Sequence, residues 1–361
     1  MKKILYLMNV DWNWIKQRPQ FIAEGLSSSF EVSILYRYKY NRKGLTADNQ
    51  AHNYKLSRIY TIPFINKQKT LKRINDWIIK CWINLLIRLT KPDLVYVTNP
   101  AHIAGVPSSY VGKIAYDCMD YHSAFIEDSM ERKQLIEFER ELVNRADLIV
   151  VSSDKLKANL TQNYQLDKLS KRISVVRNGY NGEVLDNVLE SEVDKKEKFS
   201  IAYIGTISHW FDFEALRYSL EQLPNIEYWI IGPQSKVSVL EHPRIKYFGS
   251  VEHTKLYNFI KDANALIMPF QINDIVEAVD PVKLYEYINF NKNIISIRYD
   301  EVKRFEDFVY FYNTKDELVE AIRNIQLSDG IKYSIDERIT FLKHNTWKNR
   351  VKQLVDLIKE L

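Results

Sequence analysis

Short β-rich runs alternate with longer amphipathic runs along the 361 residues, and the series breaks once and then restarts. That alternation is the mark of a parallel α/β sheet, because successive parallel strands need a crossover and a helix supplies it. In the first half the β-rich runs cover residues 4–9, 31–36, 94–98, 113–117, 147–152 and 173–176. In the second half they cover 199–204, 227–231, 266–268 and 293–297. Helical spacing of apolar residues occupies 17–28, 69–90, 131–144, 213–223, 281–289, 315–325 and 347–361. Residues 183–198 are charged and weakly patterned, which reads as linker and surface loop. At roughly 100–200 residues per domain, the expectation is two α/β domains, 1–180 and 181–345. A helix over 346–361 is expected to pack back towards the first.

Composition narrows the function classes. A net charge of +5, from 51 basic and 46 acidic residues, is too small and dispersed for a nucleic-acid binder. It fits a protein that handles anionic ligands or works near an anionic surface. Cys81 and Cys118 have no metal-ligand or CxxC spacing, so two free thiols in a reducing compartment are expected. Met1-Lys-Lys and residues 4–10 read as a first strand rather than a secretory signal, and no stretch approaches the ~18 apolar residues of a membrane span. Residues 69–91 interleave Trp77, Trp82 and aliphatic residues with Lys72, Arg73, Lys80, Arg88 and Lys91. The first reading is a core-facing helix with a basic outer face; the competing one is docking at a membrane that carries a lipid-linked acceptor.

Ligands of open parallel sheets bind beyond the carboxyl ends of the strands, so the loops after the strands carry the chemistry. The first loop holds Trp12, Trp14 and Arg18. Aromatic faces beside hydrogen-bonding groups suit sugars; the alternative is packing anchors and an arginine tied to a helix end. The loop after residue 117 places Asp120 two residues from His122. A carboxylate there can take a hydroxyl proton, or it can cap the next segment. The loop after 204 offers Gly205, Thr206, Ser208 and His209 ahead of a helix, a weak phosphate signal by itself.

The strongest constellation is Asp280-Pro-Val-Lys283-Leu284-Tyr-Glu286. Proline opens a helix, Lys283 falls in its first turn, and the positive end of the helix dipole adds to its ammonium. Glu286 follows at i+3 on the same side. A cation for a diphosphate and a carboxylate for two ribose hydroxyls make a receptor for a nucleoside diphosphate. A plain surface Lys–Glu pair is the bland alternative.

At this point the chain resembles a known group. Ala202-Tyr-Ile-Gly-Thr206 with Trp210-Phe-Asp212, Ile231-Gly-Pro233, Leu266-Ile-Met-Pro-Phe270 and Pro281-Val-Lys-Leu-Tyr-Glu-Tyr287 are similar to the nucleotide-binding domain of GT-B glycosyltransferases around family 4. Gln17-Arg-Pro-Gln20 and Tyr116-Asp-Cys-Met-Asp120 with Ser123-Ala-Phe125 resemble bacterial transferases of polysaccharide gene clusters, such as those for capsule. The resemblance implies two Rossmann-like domains facing each other across a cleft, the N-terminal one for the acceptor and the C-terminal one for the donor.

It also implies a cytoplasmic hexosyltransferase-type enzyme, which the competing reading of residues 69–91 would place peripherally at the inner face of the membrane. Its co-substrate would be a UDP- or GDP-sugar and its acceptor a glycan or lipid-linked glycan, with no metal and no other cofactor. Donor contacts would fall on Gly205, Thr206, His209, Lys283, Leu284 and Glu286, acceptor contacts on Trp12, Trp14 and Arg18, and catalysis on Asp120 and His122. A sugar-nucleotide epimerase or phosphorylase on the same fold, or a non-catalytic nucleotide- or glycan-binding partner of a synthase, is the alternative. Three departures stand out. The position eight before Glu286 is Ala278, where the family has a second glutamate, with Glu277 and Asp280 nearby. Asn289-Phe-Asn-Lys292 replaces a glycine-containing turn, and Ser208-His209 replaces a basic residue. Retention or inversion is left open by these changes.

Overall fold

The computed structural model describes residues 2–38, 53–62, 68–185, 198–235, 237–252 and 255–361. Most of the stretch read as a linker, residues 186–197, lies outside them. The chain divides into two compact units, residues 1–179 with 347–361, and residues 180–346.

The first unit runs β1 (Lys3–Met8), α1 (Arg18–Leu26), β2 (Glu31–Tyr38), β3 (Tyr54–Tyr60), α2 (Lys69–Thr90), β4 (Leu94–Val97), β5 (Lys113–Cys118), α3 (Ser129–Arg145), β6 (Leu148–Val151), α4 (Asp154–Tyr164) and β7 (Ile173–Val175). Its seven strands are ordered β3-β2-β1-β4-β5-β6-β7 and pair in parallel throughout. The central strands are buried on both faces, which is why they read as continuous apolar runs. In the register of β1 with β4, Tyr6 lies opposite Tyr96, and their rings stack at 4.8 Å.

The second unit runs β8 (Phe199–Ile204), α5 (Phe213–Gln222), β9 (Ile226–Ile231), β10 (Ile245–Gly249), α6 (Leu256–Ile260), β11 (Ala265–Met268), α7 (Asp274–Ala278), α8 (Val282–Asn289), β12 (Asn293–Ile297), β13 (Val309–Tyr312), α9 (Lys315–Leu327) and α10 (Ile335–His344). Its six strands are parallel in the order β10-β9-β8-β11-β12-β13. In both sheets the strand order reverses beside the unit's first strand, between β1 and β4 and between β8 and β11. Those reversals are the places where an open α/β sheet binds ligands.

The last helix, α11 (Trp347–Lys359), returns to the first unit. Trp347 stacks on Phe21 of α1 at 4.9 Å, and Leu354, Val355 and Ile358 join the buried cluster of that sheet. Gly25 makes the approach of α1 and α11 possible: a Cβ there would lie 2.4 Å from Val351 Cγ2.

Side chains also set where the helices begin. Asp128, Ser153, Asp212, Thr314 and Ser334 each accept a first-turn amide of α3, α4, α5, α9 and α10. The turn after α8 contains no glycine, and Asn291 takes its left-handed position at φ 54°, which asparagine tolerates better than most residues.

Candidate active site

In the second unit the site begins with two glycines at strand ends. Gly205 follows β8 with φ 148° and Gly232 follows β9 with φ 144°, a region open to glycine and strained for other residues. A Cβ on Gly232 would fall 2.1 Å from the Gly205 carbonyl oxygen, so the two turns lie backbone against backbone. The Gly205 amide donates to Ile231 O at 2.8 Å, and Ile207 N to Pro233 O at 3.0 Å. The loop after β8 is likewise tied to the loop after β11, through Asp212 N to Pro269 O (2.9 Å) and Gln271 N to Trp210 O (2.8 Å). Phe211 and Asp212 therefore serve structure: one is buried against Tyr203, and the other caps α5 through Ala215 N.

Lys283 reaches across the bare face of Gly205. A Cβ on Gly205 would meet Lys283 Cε at 2.2 Å and Nζ at 3.0 Å. Pro281 is the residue before α8, so Lys283 stands in the first turn, where amides lack intrahelical acceptors. Tyr287 braces this arrangement: its hydroxyl accepts the Ile204 amide at 2.9 Å, locking α8 to the end of β8. Burial pushes the Lys283 ammonium below the ordinary lysine range, and the Glu286 carboxylate partly opposes that. A desolvated cation at a strand end, next to helix amides, is suited to an anionic oxygen.

Asp280 is buried and ion-paired with Arg304, which also donates to Tyr285 Oη at 3.2 Å and to Glu301 O at 2.7 Å. The pair fixes the entry to α8. Glu277, at the end of α7, is half-buried.

In the first unit a second polar centre lies where β1, β4 and β5 end. Arg18, in the first turn of α1, donates from Nη2 to Asp117 Oδ1 at 2.8 Å, from Nε to both carboxylate oxygens, and from Nη1 to Val176 O at 2.7 Å. The side chains are 5% and 0% exposed. Burial works against the Arg18 charge, but Asp117 outweighs it and holds the guanidinium above its usual range. Asp120 is half-buried. Burial raises its carboxyl to about 6, with Arg18 opposing and Asp117 reinforcing.

His122 opens the turn after Asp120 and is pushed down to about 4 by burial, against the pull of Asp117 and a bond to the Thr98 backbone. His102, in the turn after β4, is also pushed to about 4, by burial and then by Arg37 and His122. His122 Nε2, His102 Nδ1 and the Tyr6 hydroxyl are buried without a protein hydrogen-bond partner. Buried polar atoms are nearly always paired, so two unpaired imidazole nitrogens in the turns after β4 and β5, with the unpaired Tyr6 hydroxyl of β1, mark a polar site.

Residues 22–184 match the family described as Glycosyltransferase Family 4. The putative teichuronic acid biosynthesis glycosyltransferase TuaH of Bacillus subtilis (strain 168) is 23% identical over 227 residues, which cover 58% of this chain and 57% of that protein. The chain thus spans little more than half the length of that relative. Sucrose-phosphate synthase of Thermosynechococcus elongatus superposes with a TM-score of 0.74 at 12% identity, over 100% of this chain and 99% of that one. HepE of Anabaena, in complex with UDP and glucose, superposes with a TM-score of 0.67 at 12% identity over the whole of both chains.

The chain has the GT-B fold. In GT-B terms the C-terminal Rossmann-like unit brings Gly205, Lys283 and Glu286 together, with Thr206 exposed beside them. Leu284 is fully buried in the core of that unit, and its amide donates to Pro281 O at 3.3 Å. His209 is exposed on the same loop, its ring 4.9 Å from Trp210. The N-terminal unit gathers Arg18, Asp120 and His122 around Asp117. Trp12 packs edge-on to Tyr54 at 5.1 Å and near Tyr36, and Trp14 is half-buried with its amide on Asp11 O.

His102 and Asp117 were not singled out from the sequence, and Gly232 entered only within the motif Ile231-Gly-Pro233. A signal existed for His102, since Asn99-Pro-Ala-His102 follows a strand at the order reversal. Among the described residues no cluster of three His, Cys, Asp or Glu is placed to hold a metal, and no helix is long and apolar enough to cross a membrane.

Proposed function

We propose that this protein transfers a hexosyl group from a UDP- or GDP-sugar to a hydroxyl of a glycan or lipid-linked glycan, in assembly of a cell-surface polysaccharide. The observation that carries the reading is Lys283 laid over Gly205 at the end of β8. TuaH, whose name places it in teichuronic acid biosynthesis, and HepE, seen with UDP and glucose, are similar to this chain and support it.

In the reaction the bond from the anomeric carbon to the diphosphate oxygen breaks, and the acceptor oxygen bonds to that carbon. The acceptor proton leaves, and the nucleoside diphosphate takes the electron pair. Charge grows on the departing diphosphate, where Lys283 and the first amides of α8 stabilise it. Glu286, one turn on, accepts both ribose hydroxyls. Of the two acids near the vacant glutamate position, Asp280 is engaged with Arg304. Because Lys283 and the helix supply the positive charge, transfer needs no divalent ion.

Asp120 receives the acceptor proton if configuration inverts, and orients the acceptor hydroxyl if it is retained. Its carboxyl, raised to about 6, is charged at neutral pH and lost as a base in acid. His122, neutral above about pH 4, shares the acceptor end.

The test measures nucleotide release from UDP- and GDP-sugars, with and without a lipid-linked glycan fraction. Acceptor-dependent release that survives EDTA, falls below pH 6 and drops about 100-fold or more in Asp120→Asn supports the reading. Release that is independent of acceptor refutes transfer and points to hydrolysis, and a changed sugar nucleotide without net release points to isomerisation.

A further inference from the structure

The outward face of α2 is the largest feature that the transfer reaction leaves unused. Its inward face is ordinary: Ile83, Leu86 and Ile87 are buried, and Ile83 seats on Gly105, where a Cβ would lie 2.7 Å from Ile83 Cβ. Away from the domain a surface helix is normally polar. Here Ile74, Trp77, Cys81, Leu85 and Leu89 recur at steps of three and four residues and form one exposed stripe. Trp77 is 65% and Leu89 69% exposed, and Trp82 lies exposed beside them. The sequence suggested a basic outer face; the structure makes it apolar with a basic margin. Arg73, Lys80, Arg88 and Lys91 are all exposed, against one exposed acid on the helix, Asp76.

We propose that α2 lies flat on an anionic lipid bilayer, with the tryptophan and leucine stripe in the headgroup boundary and the basic margin over acidic lipids. Exposed apolar patches of this kind mark interaction surfaces. Tryptophan prefers the membrane interface, and an apolar face flanked by lysine and arginine is the pattern of helices that rest on a bilayer. The helix is about 33 Å long at 1.5 Å per residue, enough for an extended contact, yet not apolar enough to cross. Charge separates this occupant from a second copy of the chain. Pairing two α2 faces would gather Arg73, Lys80 and Arg88 of both copies with only the two Asp76 side chains to balance them, whereas acidic lipid neutralises them. The proposal stands apart from the donor chemistry, since lipid binding is read without sugar nucleotide.

The full chain is sedimented with vesicles of phosphatidylcholine alone and of phosphatidylcholine with an equal part of phosphatidylglycerol. We expect binding to the anionic vesicles only. It should weaken about tenfold or more in Trp77→Ser/Leu89→Ser and in Arg73→Glu/Lys80→Glu, and fall as salt rises. Unchanged melting temperatures show that these exposed substitutions leave the fold intact. A second readout uses the native chain: Cys81 is exposed and Cys118 buried, so an environment-sensitive dye on Cys81 should shift to the blue with anionic vesicles. Failure of the wild type to sediment or shift overturns the proposal, and so does binding that ignores the Trp77→Ser/Leu89→Ser change. A dimer in solution that Trp77→Ser disperses, without vesicle binding, would overturn it in favour of a second copy.

Discussion

The side chain of Lys283 occupies the space that a side chain on Gly205 would need, 2.2 Å from the virtual Cβ at its Cε. Strand β8 delivers the bare backbone and helix α8 delivers the cation. Neither residue has this meaning without the other.

Gly205→Ala should therefore injure the site twice. The φ of 148° strains any L side chain, and the new methyl displaces Lys283. We expect a stability loss of about 1–3 kcal/mol, with nucleoside diphosphate affinity falling further than the remaining folded fraction explains. Urea melts beside calorimetric titrations separate the two effects.

Arg18 and Asp117 form a buried ion pair inside the N-terminal unit. Removing one partner leaves a buried charge alone, so Arg18→Leu should cost about 3–5 kcal/mol. Arg18→Lys should recover only part of it, since an ammonium cannot repeat the forked contact with both carboxylate oxygens and Val176 O. Denaturant melts of the three proteins provide the check. An Arg18→Leu protein as stable as wild type would show the pair to be dispensable.

His102 and His122 are held near pKa 4 in the folded chain, against an ordinary 6.5. Between those values the unfolded chain binds protons that the folded chain does not. Stability is accordingly lost as pH falls from 6.5 towards 4, by up to about 1.4 kcal/mol per unit for each histidine. His102→Gln/His122→Gln should flatten that slope in melts between pH 7 and 4.5. An unaltered slope would mean that neither imidazole is excluded from protonation.

What the sequence disclosed follows the physics of each element. Residues 69–90 read as a helix and are one, because Pro92 and the left-handed Lys91 end it sharply. Strands β3, β10 and β13 were missed. They are outermost or carry exposed residues, so they show no unbroken apolar run. Helices α4 and α10 escaped because few of their residues face the core. At the site, Lys283 and Glu286 were legible because one helical turn relates them. The close approach of Gly232 to Gly205 brings together turns of different strands, which no local spacing encodes. The apolar outer face of α2 was present as residues in the sequence, but which of its two apolar sides meets the core is decided by packing.

The most direct test titrates wild type, Lys283→Met and Glu286→Ala with UDP, GDP and the unphosphorylated nucleosides, and records melting temperatures at pH 7. The folded chain holds the Lys283 proton less firmly than the unfolded chain, so below both pKa values the charge costs stability, a cost that vanishes only above the ordinary lysine range. Lys283→Met should thus melt higher than wild type while losing about 1–3 kcal/mol of diphosphate affinity. Glu286→Ala should weaken nucleoside and diphosphate alike. Diphosphate binding that is unchanged in Lys283→Met would contradict the account.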